Sequence, residues 1–158
     1  MNRKIKFGAA ATASALAVGG ALVLGAAPAS AATACKTNTK EFPTDFYNAD
    51  VTVKLCVVSR NGGHFADGYV SWNEAGSNKF DKFVVQVRLE RNDADIAVTS
   101  CSMTSSINSL YQGDDFCGRG SFVSGSGGWT ADGKVTYNIN NDGKGDMVWE
   151  LTGSPSIS

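Results

Sequence analysis

The chain has 158 residues, 42% of them apolar and 18% charged. Three of its fourteen bases and none of its fifteen acids fall in the first 31 residues, so eleven bases and fifteen acids remain beyond them, a net −4. That balance provides no basic stripe for a polyanion and argues against nucleic acid as a partner.

The chain opens on MNRKIKF, with Arg3, Lys4 and Lys6, and continues as an Ala/Gly-rich apolar run to about Ala27. Pro28 and Ala29-Ser30-Ala31 follow. This is the pattern of a secretory signal over residues 1–31, cut after Ala31, with Ala32-Thr33-Ala34 as a second site. The product is expected to be secreted and extracellular. No later apolar run is long enough to span a bilayer, so no membrane association is expected after cleavage. Cys35 lies close behind the apolar run, and Ala34 before it would suit a lipoprotein cut, but no Leu stands at −3.

Residues 32–50 are polar, contain Phe42-Pro43 and lack alternation. They read as an extended N-terminal arm, anchored at Cys35, that can lie along a sheet edge of its own domain or of a partner.

From residue 51 to 158 strand signals dominate. Val51–Val57, the Phe83/Val85/Val87/Leu89 face, Ile96–Cys101, Val135–Ile139 and Met147–Leu151 all alternate with period two. Turn chemistry separates them at Asn61-Gly62-Gly63, Asn92–Asp95, Gly113–Asp115, Ser124–Gly128 and Asp132-Gly133. No segment has a convincing helical period. The fold class is all-β, an antiparallel β-sandwich of immunoglobulin-like size. The core is expected to contain Phe83, Val85, Val87, Leu89, Val53, Leu55, Tyr137 and Trp149.

Four cysteines in an exported chain read as two disulfides, and three pairings exist. Cys35–Cys56 and Cys101–Cys117 are favoured because each pair is close in sequence. Zinc is disfavoured, since there is no CxxC and His64 is the only histidine.

Asn138, Asn140, Asp142 and Gly143 resemble a calcium loop. An EF-type loop needs a bidentate Glu at its twelfth position, where Trp149 stands. Strand patterns on both sides favour a hairpin, with a weaker calcium site at Asp142 and Asp146 left open. His64 reads as a solvated loop histidine, with no GxSxG motif to make it a catalytic base. Asp93/Asp95 and Asp114/Asp115 lie in turn-like clusters where Asp is expected for local hydrogen bonding. No catalytic set, cofactor or metal is therefore expected. Trp129, behind a glycine-rich run, and Trp72 are candidates for stacking on glycans. Leu110 and Tyr111, inside the presumed Cys101–Cys117 ring, could serve a protease inhibitor.

Several segments carry a resemblance: KFDKFVV from Lys79, VRLER from Val87, GWTADG from Gly128 and DGKGD from Asp142. Together with the signal segment they resemble small secreted proteins of actinobacteria, and in particular the adaptor subunits of umbrella toxin particles. The resemblance implies a non-enzymatic protein that joins a lectin-like subunit to a large toxin-bearing polypeptide in bacterial competition. It further implies that the arm around Lys36 to Asp50 is a docking element, with Lys36, Lys40, Glu41, Phe42, Phe46 and Tyr47 as candidate partner-binding residues. Deleting residues 36–50 is then expected to abolish partner binding and to leave the sandwich folded. The alternatives are a carbohydrate-binding module and a protease inhibitor.

Overall fold

The computed structural model describes residues 31–158. The segment read as a secretion signal lies, apart from Ala31, outside the described residues. Nine strands form two antiparallel sheets. The first sheet has the order β1 (Ala32–Phe42), β2 (Ala49–Arg60), β3 (Gly63–Asn73), β6 (Gly113–Cys117), with the short β7 (Val123–Ser124) also on β3. The second has the order β5 (Ala94–Ser102), β4 (Phe80–Arg91), β8 (Trp129–Ile139), β9 (Met147–Glu150). The all-β sandwich expected from the alternation is the fold observed.

The core lies between the sheets. Val51, Val53, Leu55 and Val57 face inward from β2, and Phe83, Val85, Val87 and Leu89 from β4. These residues sit two apart because successive side chains of a strand point to opposite faces. Tyr137 is buried as expected, whereas Trp149 is only half buried.

The polar N-terminal segment, held at Cys35, lies along a sheet edge of its own domain, one of the two placements open to it, and does so as a full strand. Ala32–Phe42 forms β1 and pairs with β2 without a slip, from Ala32↔Ser59 to Phe42↔Ala49. Its inward positions carry Lys36, Asn38 and Lys40, because β1 is an edge where the sandwich opens to water; that is why no apolar alternation marks it. Phe42 closes the strand as an aromatic hub, edge-on to Phe80, Phe83, Tyr137 and Trp149 at 4.8–5.8 Å. Deleting residues 36–50 would therefore remove an integral strand and a core ring, and the expectation that the domain survives the deletion is corrected.

Three further expectations are overturned. Gly113–Asp115 belongs to β6 and is not a turn. Asp132-Gly133 lies mid-strand in β8; a Cβ on Gly133 would meet the Gln86 carbonyl oxygen at 2.3 Å, so glycine serves close strand approach there. A short helix, α1 (Thr104–Ser109), interrupts the β pattern. Its sequence TSSINS has poor helix propensity. Tertiary ties hold it: Ile107 is buried, Phe83 N donates to Thr104 Oγ1 at 2.8 Å, and Asn108 bonds both backbone groups of Phe80.

Both disulfides have the favoured pairing. Cys35–Cys56 joins directly opposed residues of β1 and β2 within one sheet. Cys101–Cys117 joins β5 to β6, and so ties one sheet to the other. On the opposite flank, Asn38 bonds both backbone groups of Thr152, at 2.8 and 3.0 Å.

Candidate functional site

One end of the sandwich gathers the β1–β2 loop (43–48), the β3–β4 loop (74–79), the α1–β6 connection and the β8–β9 hairpin. The β1–β2 loop places Phe46 in the left-handed region (φ 70°), 94% exposed, beside Tyr47 at 64%. A bulky aromatic at positive φ is a genuine outlier. The loop is nonetheless tied down. Thr44 Oγ1 donates to Tyr47 O at 2.6 Å, Asn48 donates to Glu41, and Lys79 Nζ donates to Tyr47 O. Burial holds the Lys79 ammonium below its ordinary pKa, with Glu74 and Asp45 opposing that shift.

Beyond the β3–β4 loop, Leu110 and Tyr111 are also exposed. Their carbonyls are fixed by Trp72 Nε1 (3.2 Å) and Ala75 N (2.9 Å) respectively. Gly76, with φ 82°, lies against the Leu110–Tyr111 backbone, where a Cβ would come within 3.3 Å of Tyr111 N. Asp45, Phe46, Ser77, Asn78 and Lys79 line a small cleft on the other side of the same loop. The end therefore presents four large apolar side chains on pinned backbone.

The remaining candidate residues scatter. Lys36 and Glu41 are exposed. Lys40 turns back into its own domain, 3.0 Å from the Tyr137 hydroxyl and 4.7 Å from the centre of its ring. Phe42 is fully buried and unavailable to a partner. Of the arm residues, only Phe46 and Tyr47 form an exposed aromatic pair.

The tryptophan expectations are corrected. Trp129 is wholly buried, stacked on His64 at 4.6 Å with Arg91 over its ring at 5.5 Å. Trp72 is buried behind Leu110. Neither offers a face to a sugar. His64 is likewise buried in β3 and is not a solvated loop residue; both its nitrogens lack a hydrogen-bond partner among the described residues.

Residues 140–146 turn between β8 and β9, with Asn141, Gly143 and Gly145 all at positive φ. Asp142 Oδ1 accepts from Lys144 N at 2.8 Å, and Asp146 is engaged by Lys82 at 2.5 Å, which holds its carboxyl below the usual range. Asp146 is thus paired to β4, while Asp142 Oδ2 is buried without a hydrogen-bond partner among the described residues. Among the described residues no group of three or more His, Cys, Asp or Glu could hold a metal. No helix among them is long and apolar enough to cross a membrane.

No protein-family model, characterised protein or solved structure matches this chain.

Proposed function

We propose that this is a secreted, non-enzymatic protein-binding module that docks through its Phe46/Tyr47 end. The carrying observation is Phe46. Its exposure forgoes about 1.5–3 kcal/mol of burial, and its left-handed backbone costs on the order of 1 kcal/mol more. The bonds that pin the loop offset the second cost. The first is recovered if the ring enters an apolar pocket of a partner, since aromatic anchors in desolvated pockets dominate interface energies. Pinning the loop in advance lowers the ordering cost of that event. Two disulfides suit an oxidising compartment.

In its finer form the reading is an adaptor that joins a lectin-like subunit to a large toxin-bearing polypeptide in an antibacterial particle. Affinity purification of the tagged protein from its native culture supernatant tests both levels. A lectin-like protein and a toxin polypeptide in fixed ratio would support the adaptor. Phe46→Ala with Tyr47→Ala should cut recovery at least tenfold with Tm unchanged. Recovery of the bait alone, or equal recovery by the double variant, would overturn the docking site.

A further inference from the structure

The outer face of the first sheet carries a feature independent of the Phe46 end. Register places Thr37, Lys54 and Tyr69 side by side across β1, β2 and β3, and Phe116 of β6 beside Tyr69. All four project away from the core, because Val53 and Leu55, the neighbours of Lys54, project into it. Tyr69 and Phe116 are 45% and 42% exposed, and their rings lie 5.2 Å apart, tilted by 52°. They form a notch in the sheet surface.

Two shallow grooves meet at this row, and Tyr69 and Lys54 line both. One, of about 190 Å³, is walled by hydroxyls and acids, among them Thr37, Thr52, Ser71 and Asp115. The other, of about 470 Å³, runs over the Cys35–Cys56 disulfide to Arg60 and Arg119. Arg119 is committed, gripping the buried Asp67 through two bonds of 3.2 Å. Lys54 and Arg60 have no carboxylate partner among the described residues, which leaves this groove cationic.

We propose that this face binds an acidic oligosaccharide that runs along β2, with one sugar ring packed on Tyr69, one carboxylate against Lys54 and another, further along the sugar chain, against Arg60. An aromatic face takes the C–H face of a pyranose by apolar contact. Hydroxyls that both donate and accept, as on Thr37, Thr52 and Ser71, match sugar hydroxyls. Unpaired cations beside them select an anionic sugar. A globular protein partner fits less well, because a specific protein interface wants a desolvated apolar centre and about 800 Å² per partner. Here Phe65 is covered by Arg119, and the exposed rings of the row, Tyr69 and Phe116, have Thr37, Thr52, Ser71, Lys54 and Arg60 around them.

Calorimetry of the disulfide-bonded protein with tetramers of galacturonate, glucuronate and mannuronate tests the site, with cellotetraose and polyglutamate as controls. At least one uronate tetramer should bind, at least tenfold tighter than either control, and more weakly as salt rises. Tyr69→Ala and Lys54→Gln should each weaken binding about tenfold or more, and Phe46→Ala should leave it unchanged. Both groups point outward, so the variants should keep the wild-type Tm; Tyr69→Phe should retain binding if stacking is the contact. Silence from all three tetramers overturns the proposal. So does polyglutamate binding as tightly as the uronates, or binding indifferent to Tyr69. Loss through Phe46→Ala would move the site to the docking end and likewise overturn it.

Discussion

Arg88 on β4 gathers three carboxylates on the outer face of the second sheet: Asp132 at 2.9 Å, Glu90 at 3.3 Å and Asp95 at 3.6 Å. Burial works against the guanidinium, but these acids outweigh it and hold it above its ordinary pKa. Glu90 fares worst. Burial, then Asp132 and Asp95, push its carboxyl above the usual value, and Arg88 only partly opposes them. A carboxyl raised in the folded state favours folding fully below its unfolded pKa, about 4.3, and that contribution is lost as pH rises through the folded value. Glu90→Gln should therefore raise Tm at pH 7, by a few degrees, with the gain shrinking towards zero below about pH 4. Thermal melts across that range check it; a loss of stability at pH 7 would mean that the Arg88 pair outweighs the crowding. At this scale the sequence is only partly informative. Phe83, Val85, Val87 and Leu89 are legible because a strand face repeats. Trp129 and His64 are not, because their burial depends on two distant segments, 65 residues apart by number, stacking across the sheets.

Among the elements, β1 was the hardest to read and one of the most consequential. Its inward positions are polar because they lie at an open edge, so pattern alone classed it as an arm. The ring that belongs to the core, Phe42, stands last in the strand. Phe42→Ala should cost about 3–5 kcal/mol, the range for emptying a buried aromatic site. Urea unfolding measures this directly, and a cost below 1 kcal/mol would mean that the surrounding rings collapse into the space. Helix α1 escaped notice for the opposite reason. Its local sequence disfavours helix, and side chains of Thr104, Ile107 and Asn108 fasten it to the sandwich. The β8–β9 hairpin was legible throughout, since its amide, acid and glycine residues are the ones that tolerate positive φ. The same chemistry misleads at Asp132-Gly133, where a glycine chosen for close strand approach looks like a turn.

For the whole molecule, the two flanks of the sandwich are closed by different means. One has the Cys101–Cys117 bond between sheets; the other has the Asn38–Thr152 amide clamp and the Lys40 contact with Tyr137. Replacing Cys101 and Cys117 together by Ala should lower stability by about 3 kcal/mol, as expected for a loop of this length. Denaturant midpoints of the oxidised wild type and the double variant decide it. The pairing was legible from spacing. That it bridges the sheets was not, because sheet membership follows from topology and spacing does not encode it.

The Asn38–Thr152 clamp also orders events in time. Its two halves lie 114 positions apart, and ribosomes deliver the amino-terminal half first. Until residue 152 has emerged, β1 can zip onto β2 and meet Tyr137, but the clamp at Asn38 cannot close. A nascent or truncated chain therefore carries a less firmly held β edge, the feature most prone to recruit neighbouring chains. Arrival of residue 152 leaves β1 an edge, now fastened at Asn38 to the segment that follows β9.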